Sequence, residues 1–469
     1  MTRAFTPADT LHRLVKEALD SGSAASLAEA EAMYRSFDLS FDIGKTEARD
    51  PFHQAALLTG VALARRVFLG GVWVSGSLAT PLAIPLPLGA TLAEAIVTLG
   101  GRTRNQVISG PLVTIGGDPK ARSQGFHIRT VHAGWRGGIL PAHSEMAPTD
   151  GPSMPLSPML AAALAVNEAF FFARTGNAAA GRRPLGLSLW NPLADADWLS
   201  DAAGEPELRY LPARLWLMGL GHLGQAYMWG LGLLPYPDPG DLTLVLQDVD
   251  IITPSSESTS ILTTPALISQ KKTRAMSAWA ERRGFTTIIC ERLFDGNFTR
   301  RPDEPSVALC GLDNGLGRRA LDRVGFDFVV EAGLGRGHRD FRTLRLHTLP
   351  APRSAAEIWR AEDPGEHSEK CLAYQKMLGD GNLDRCGITL LAGKAVGAPF
   401  VGAVASCLVL SEVLRLLHGG VIHQVIDLDL QSVEHRSAIR HPYDFSRLNP
   451  GYVEVLASER SCSIPQYVT

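Results

Sequence analysis

Alternating apolar and polar segments in the second half of the chain predict a layered α/β domain. From about residue 213 onward, apolar runs of strand length are separated by stretches with helical periodicity. The strand-like runs read LWLM, LTLVLQDVD, TTIICERL, SVALCGLDN and FDFVVEAGLG, and SQKKTRAMSAWAERRG reads as a helix that ends at Gly284. Because parallel strands need crossover helices, this alternation predicts a doubly wound, mostly parallel Rossmann-like sheet.

The first half of the chain shows a different pattern. Residues 1–50 are polar with helical spacing, and the apolar stretches 50–71 and Ser157–Gly176 predict two longer helices. Short apolar runs between them are broken by Gly and Pro. A polar region before the first strand of the second half sets the predicted boundary, which gives domains of 1–205 and 206–469.

The last part of the chain combines a polar segment with the most apolar one. Residues 350–385 predict a crossover loop, within a segment of about 340–398. Residues from about 395 to 417 are apolar but include Glu412 and Arg415, so they predict a buried core helix and not a membrane span. VIHQVIDLDLQSVEHRS predicts late edge strands.

A weak internal similarity links the two halves. LAVNEAFFFA around Glu168 and LVLSEVLRLL around Glu412 are apolar helices with one acid each. Upstream of them, VHAGWRGGIL resembles VEAGLGRGHRD. This similarity is either a coincidence between two core helices or the trace of a duplicated fold whose first copy has lost its glycine loop.

Composition and charge narrow the classes of function. The 469 residues are 45% hydrophobic, enough for two or three domains, and the net charge of -3 gives no basic surface of the kind that binds nucleic acid. The six cysteines form no C-x-x-C pair, which argues against a zinc ribbon. Cys290, Cys310 and Cys407 lie in apolar contexts and are expected to be buried thiols. The N-terminus has no apolar signal core, so we expect a cytoplasmic protein without a membrane partner.

A glycine-rich motif follows the first strand of the second half. Gly219, Gly221 and Gly224 form G-x-G-x-x-G between a predicted strand and a predicted helix, where backbone amides can bind an anion. About two dozen residues later, Asp248 and Asp250 end the next strand and can accept hydrogen bonds from a ribose. A dinucleotide, ATP or no ligand at all remain compatible with these residues.

Two further positions favour ATP over a dinucleotide. Lys272 opens a helix, and a cation there can neutralise triphosphate oxygens, although the neighbouring Lys271 shows that an exposed helix lysine is the simpler interpretation. Asp313 and Asn314 follow an apolar strand, where a carboxylate can hold Mg²⁺ as pyrophosphate leaves. A nicotinamide-dependent dehydrogenase has no need of this pairing.

One cysteine is a candidate nucleophile. Cys386 stands at the exit of the polar segment, next to Arg385 and before the apolar helix, and a thiolate there could attack an acyl-adenylate. Cys371 lies in the same segment and is the rival candidate. An inert cysteine is the third possibility.

In this order the motifs are typical of one superfamily. Residues 213–430 resemble the ThiF/MoeB/ubiquitin-activating superfamily through GLGHLG, QDVDIITPSS, SQKKTRAM, GLDN, VVEAGLGRG and APFVGAVASCLVLSEVLRLLHGG. The resemblance implies that ATP and Mg²⁺ activate the C-terminal glycine of a β-grasp, ubiquitin-like protein as an acyl-adenylate. A thioester on an enzyme cysteine and transfer to a conjugating-enzyme-like protein would follow.

The resemblance also implies roles for individual residues. The three glycines would line the ATP site with Asn314 near it, and Asp248 or Asp250 would bind the ribose. Lys272 would contact the phosphates and Asp313 would hold Mg²⁺. The position of Cys386 is similar to the cysteine of smaller, single-cysteine activators of autophagy or ufmylation type.

The sequence departs from the superfamily at several points. An Asn and an Arg usual after the second aspartate are replaced by Ser256 and Thr259. Either Arg102 or Arg104 of the first half supplies the missing charge, or adenylation is crippled. The first half would then be a degenerate, inactive adenylation-like domain that forms a pseudo-dimer with the active one. This layout resembles bacterial ubiquitin-like activating enzymes of the Bil type, which implies antiviral defence. A sulfur-carrier adenylyltransferase of MoeB or ThiF type, an NAD-dependent Rossmann oxidoreductase and a non-catalytic scaffold are the alternatives.

Overall fold

Two similar sheets form the framework of the protein. The computed structural model describes residues 5–105, 110–117, 125–359, 372–379 and 385–455. The strands of the first sheet are β1 (Asp38–Ile43), β2 (Gly71–Gly76), β3 (Arg102–Thr103), β4 (Leu112–Ile115), β5 (His127–Ala133), β6 (Arg136–Pro141) and β7 (Leu185–Ser188). A two-stranded sheet pairs β8 (Tyr210–Pro212) with β17 (Tyr452–Glu454). The strands of the second large sheet are β9 (Arg214–Met218), β10 (Thr243–Gln247), β11 (Thr286–Cys290), β12 (Val307–Cys310), β13 (Phe328–Leu334), β14 (Thr343–Leu349), β15 (His423–Asp429) and β16 (Ser437–Arg440).

The two large sheets have the same strand order. The first runs β3-β2-β1-β4-β5-β6-β7, and the second runs β11-β10-β9-β12-β13-β14-β15 with β16 added at its edge. In both, the first five strands are parallel and the following pairs are antiparallel. The strand order reverses direction between β1 and β4 and again between β9 and β12, and such a switch point opens a crevice at the carboxyl ends of the strands. Each half therefore has one place where a ligand crevice is expected.

Helices cover both sheets and separate them. They are α1 (Pro7–Thr10), α2 (Lys16–Asp20), α3 (Leu27–Arg35), α4 (Pro51–Ala64), α5 (Leu92–Thr98), α6 (Leu156–Thr175), α7 (His222–Leu233), α8 (Lys272–Arg283), α9 (Gly315–Arg319), α10 (Ala355–Ile358), α11 (Leu372–Gly379), α12 (Arg385–Ala392) and α13 (Pro399–Leu417). Local chemistry explains several ends: the Asp50 carboxylate caps the first amides of α4, and Gly176, at a φ of +63°, ends α6.

The structure explains the similarity between the two apolar helices. Along the chain, helix α6 connects β6 to β7 of the first sheet, and α13 comes between β14 and β15, the corresponding strands of the second sheet. Glu168 of α6 accepts a hydrogen bond from the Gly181 amide at 2.9 Å, and Glu412 of α13 accepts one from the His423 amide at 3.1 Å. Each acid thus satisfies a backbone donor on the way to the next strand, which supports duplication over coincidence.

The upstream similarity between VHAG and VEAG does not follow the strand register. Within the sheets, Thr130 pairs with Ile115 at the end of β4, and Glu331 pairs with Cys310 at the end of β12. Thr130 and Glu331 are therefore equivalent in the two sheets. An alignment of VHAG with VEAG differs from this strand register by two residues.

The two halves share one hydrophobic core. Helices α4, α6, α13 and α7 pack in succession between the sheets, and buried residues from both halves form one continuous cluster. Across the junction, Trp229 Nε1 donates to Thr59 Oγ1 at 2.9 Å, and the buried Arg66 donates to the carbonyl groups of Ile261 and Thr263 at 2.8 Å each. The first half is therefore part of the structural support of the second.

Several predictions about local structure need correction. Residues 38–43, placed in a helical segment by their polarity, form the buried strand β1. Residues 343–349 form β14, an antiparallel strand inside the predicted crossover segment, and 355–358 and 372–379 are short helices. Strand β14 lies between β13 and β15, and most of its side chains on both faces are buried, so its alternating pattern is weak. Helices α6 and α13 are long and apolar enough to span a membrane, but 83% and 89% of their most apolar windows are buried, as expected of core helices.

Candidate active site

Two of the three motif glycines serve the packing of the fold. Gly219 has a φ of +82°, and a Cβ on it would lie 2.9 Å from the carbonyl oxygen of Gly311. A Cβ on Gly224 would lie 2.0 Å from the carbonyl oxygen of Gly219. These glycines allow the turn, strand β12 and helix α7 to approach one another, so they would be needed with or without a ligand.

Gly221 has a different environment. Its φ is −86°, and a Cβ on it would meet, among the described residues, only Lys272 Nζ at 3.9 Å. Gly221 is also the N-cap of α7, and within the described part of the chain no side chain caps its first amides. Uncapped amides at a helix N-terminus beside open space fit a phosphate group.

The two aspartates that follow β10 have different roles. Asp248 accepts hydrogen bonds from the amide of Leu220 at 2.7 Å and from the amide of Asp250 at 2.8 Å. Its carboxylate therefore holds the glycine loop in place. Asp250 is 65% exposed in its side chain, so it is the better placed of the two to reach a ribose.

Lys272, and not Lys271, faces the crevice. Lys272 Nζ lies 2.9 Å from Asp250 Oδ2 and 3.6 Å from Asp248 Oδ2, while Lys271 Nζ donates to the Val249 carbonyl at 2.5 Å. Burial lowers the pKa of Lys272, but the neighbouring carboxylates outweigh burial and raise the pKa above its usual value. The ammonium group is therefore fully charged at neutral pH.

The loop after β12 presents Asp313 to the same crevice. Asp313 is exposed, and its charge acts on both Lys272 and Arg13. Asn314 Oδ1 accepts a hydrogen bond from the Gly317 amide at 2.6 Å and caps α9, so the contact seen for Asn314 is structural. A direct role for Asn314 in nucleotide binding stays a prediction.

The residues present fit a magnesium ion that is held together with a nucleotide. Among the described residues, no group of three or more His, Cys, Asp or Glu side chains has the geometry of a metal site. Magnesium in nucleotide enzymes is commonly held by one or two carboxylates plus phosphate oxygens and water. The exposed carboxylate of Asp313, whose charge acts on Lys272, matches that arrangement.

An arginine from the first half approaches this site, and the sequence analysis missed it. The amide of Arg13 donates to Ser258 Oγ at 3.1 Å, and its Nη1 donates to the Ala395 carbonyl at 3.4 Å. Its Cβ and the Thr259 methyl group both lie within 4 Å of the same point above Gly397. Burial lowers the pKa of Arg13, and the carboxylate of Asp313 opposes that shift. Arg13 thus lies beside the position of the lost arginine.

The suggestion that Arg102 or Arg104 replaces that arginine is wrong. Their guanidinium groups lie over the ring of Trp73, at 5.2 and 5.5 Å from its centroid, at the edge of the first sheet. Arg104 also donates to Ser40. Arg102 and Arg104 were proposed only because they are charged. No sequence signal indicated Arg13, because it lies 245 residues before its partner Ser258.

The candidate nucleophile lies on a short helix. Cys386 is the second residue of α12, and its side chain lies outside the part of the structure that is described, as does the whole of Cys371. Helix α12 packs against α1, and Tyr374 of the neighbouring α11 donates to Asp20 Oδ1 at 2.6 Å. Helices α11 and α12 are therefore attached to the N-terminal region that carries Arg13. The choice between Cys386 and Cys371 stays a prediction.

The buried cysteines are poor nucleophiles. Cys310 and Cys407 are fully buried; burial raises the pKa of Cys310 to about 12 and also raises the pKa of Cys407. Cys290, expected to be buried, is half-buried because β11 is an edge strand.

The fold defines a doubled α/β protein, with one Rossmann-like sheet in each half and a polar site at the switch point of the second. Two family models match the chain: the BilD N-terminal domain over residues 38–189 and the BilD C-terminal domain over residues 211–420. A bacterial E1-like protein BilD from Collimonas sp. (strain OK412) is 43% identical over 441 residues, which cover 92% of this chain and 95% of that relative. The chain belongs to the BilD family.

Solved structures give a more distant likeness. E. coli MccB is 12% identical, with a TM-score of 0.34 over 49% of this chain and 63% of its own. The microcin C7 biosynthetic enzyme MccB in complex with N-formylated MccA is 14% identical, with a TM-score of 0.34 over 49% of this chain and 66% of its own. MccB has also been crystallised with ATP, at a TM-score of 0.33 and 12% identity over 49% of this chain and 64% of its own. The chain thus spans less than two thirds of the length of these MccB chains.

The contrast between the glycines gives a first prediction. We expect Gly221→Ala to weaken ATP binding, because the added methyl group points into the crevice next to Lys272. Overpacking costs about 1–3 kcal/mol, which corresponds to about 5–150-fold in Kd. Calorimetric titration with ATP and Mg²⁺ measures this change.

Gly224→Ala is the matched control, since its methyl group would collide with the backbone of Gly219. That variant should lower the melting temperature, whereas Gly221→Ala should leave it close to wild type. An unchanged Kd in Gly221→Ala would show that the nucleotide does not approach this loop.

Proposed function

We propose that this protein activates the C-terminal glycine of a ubiquitin-like protein by adenylation and then carries it as a thioester. One observation carries the proposal: Lys272 lies against Asp250 beside the uncapped start of α7, and the charge of Asp313 acts both on Lys272 and on Arg13 of the other half. Two cations and two carboxylates at a helix N-terminus suit a triphosphate with its ribose and metal.

In the first step the partner's carboxylate attacks the α-phosphorus of ATP. A carboxyl oxygen–phosphorus bond forms, the bond to the β-phosphate oxygen breaks, and pyrophosphate leaves. The amides of α7 and the Lys272 ammonium group would hold the phosphates, and the Arg13 guanidinium group would offset negative charge as pyrophosphate departs. Asp313 would hold Mg²⁺, which neutralises phosphate charge. Asp250 would accept hydrogen bonds from the ribose.

In the second step the Cys386 thiolate would attack the acyl carbon. A carbon–sulfur bond forms, the bond to the phosphate oxygen breaks, and AMP leaves. A thiol of a conjugating-enzyme-like protein would then take the acyl group by thioester exchange, with a proton passing to the released Cys386 thiolate.

The equivalent crevice in the first half supports a single nucleotide site per chain. A cavity of about 230 Å³ lies between the loops that follow β1 and β4. The Glu47 carboxylate fills part of it: Cβ atoms on Gly44 and Gly117 would lie 2.1 and 2.6 Å from its oxygens. A carboxylate beside the first glycine after β1 repels phosphate, so we infer that the first half is inactive in adenylation.

ATP–pyrophosphate exchange tests the proposed function. We expect the purified chain to exchange radiolabelled pyrophosphate into ATP when Mg²⁺ and a Gly-terminated β-grasp partner are present. The same partner shortened by its last glycine should give no exchange. A chain that binds NAD(P)H in calorimetry and shows no exchange would contradict the proposal, and thiocarboxylation of the partner without conjugation would indicate sulfur-carrier chemistry.

The biological setting is a further part of the proposal. The partner would be a ubiquitin-like protein, the next acceptor a conjugating-enzyme-like protein, and the place the cytoplasm. The family resemblance suggests a role in antiviral defence. Genes for a short Gly-terminated protein and a conjugating enzyme beside this gene would support that setting.

A further inference from the structure

A buried carboxylate lies behind the site, on the strand next to the Asp313 loop. Glu331 of β13 is fully buried, and its Oε1 lies 3.2 Å from Nε of Arg318. The same Nε donates a hydrogen bond to the Leu312 carbonyl at 2.7 Å. Arg318 therefore connects Glu331 to the residue that immediately precedes Asp313.

Two aromatic groups complete the surroundings of this arginine. The ring of Trp359 covers the guanidinium group, with its centroid 4.4 Å from Cζ, and His347 Nδ1 lies 3.4 Å from Glu331 Oε2. We call Arg318, Glu331, His347 and Trp359 the Arg318 cluster. Arg318 is thus held by an ion pair to Glu331, by the indole ring and by its hydrogen bond to the Leu312 carbonyl, which leaves the guanidinium group little freedom to move.

The first half shows that the fold does not require this acid. Strand register equates Glu331 with Thr130, which is also fully buried. Thr130 Oγ1 accepts a hydrogen bond from the amide of Gly116, in the loop after β4. At the equivalent position of the first half, one hydroxyl group thus binds the first residue after β4, without a buried charge on that side chain. Burying a carboxylate is costly, so its presence in the second half indicates a need specific to the loop after β12.

We propose that Arg318 is a positioning residue that fixes the loop carrying Asp313 before metal and nucleotide bind. The proposal rests on the proposed function for the meaning of Asp313, but its structural part does not. The loop is also held by Gly311, whose amide donates to the Met218 carbonyl at 2.8 Å, and by the Asn314 cap on α9. The Arg318 bond to Leu312 lies between these two points, next to the carboxylate to be positioned.

Hydrogen–deuterium exchange of the ligand-free protein tests the structural part. We expect Arg318→Ala to speed exchange in a peptide that covers residues 311–318, because the bond to the Leu312 carbonyl is lost. The exposed Arg323→Ala, a few residues further on, is the matched control and should leave that peptide unchanged. Equal exchange in both variants would overturn the proposal, whatever the protein's activity.

A magnesium titration tests the functional part. Removing residues that orient metal ligands typically costs about 10–100-fold in metal affinity or activity, so Arg318→Ala should raise the Mg²⁺ concentration for half-maximal pyrophosphate exchange by that factor. Arg318→Lys and Glu331→Gln retain most of the packing and should give smaller increases. Melting temperatures identify any variant that fails to fold.

The outcomes separate this inference from the proposed function. If the wild-type protein shows no exchange with any partner, the proposed function fails while the hydrogen–deuterium result still decides the role of Arg318. If the wild type is active and all folded Arg318 and Glu331 variants keep its Mg²⁺ dependence, the positioning role is wrong.

Discussion

We expect Lys272→Met to lower the rate of ATP–pyrophosphate exchange by about 10²–10³-fold, the usual effect of removing one charged or polar group that stabilises a transition state. Its ammonium group is the side-chain cation at the start of α8 that faces the crevice, between Asp248 and Asp250. Methionine retains the length of the side chain and removes the charge. The initial rate of exchange at saturating ATP and partner is the measurement.

Lys271→Met is a closely matched control. It removes the same charge one residue earlier, but Lys271 Nζ contacts the Val249 carbonyl outside the crevice. Asp248 retains its two backbone hydrogen bonds in both variants, so the glycine loop stays in place. Equal losses in the two variants, or a loss in Lys271→Met alone, would refute the assignment of Lys272 to the phosphates.

Cys386→Ala should retain pyrophosphate exchange and lose every reducible adduct with the partner. In the proposed mechanism, adenylation uses groups on α7, α8 and the Asp313 loop, whereas the thioester needs a sulfur nucleophile. Non-reducing electrophoresis with and without dithiothreitol, after incubation with ATP and partner, shows the adduct directly. The expected effect is complete loss of the adduct at an unchanged exchange rate.

Two other cysteines provide the comparison. Cys371→Ala decides between the rival candidates, and Cys290→Ala removes a half-buried thiol on the edge strand β11. Both variants should form the adduct as the wild type does. A missing adduct in Cys371→Ala with a normal one in Cys386→Ala would transfer the role of nucleophile to Cys371.

Local patterns predicted much of the second sheet. The predicted helix over SQKKTRAMSAWAERRG is α8, which ends at Gly284 with a φ of +95°. The predicted strands LTLVLQDVD and SVALCGLDN contain β10 and β12. Such elements depend on the spacing of apolar residues and on glycines at their ends, which are properties of a few neighbouring residues. The strand β14 was missed, since its residues gain their partners only through antiparallel pairing with distant strands.

The sequence by itself determined the α/β class, the glycine loop and the set of polar residues at the ends of strands. Only the tertiary structure decided which of them lie together: it separated Lys272 from Lys271, placed the Asp248 carboxylate against the glycine loop, and brought Arg13 to Ser258. It also showed the same strand order in both halves. The reason is physical: periodicity and turn chemistry act between near neighbours, whereas charges and hydrogen bonds in a site join residues hundreds of positions apart, and their partners are set by chain topology.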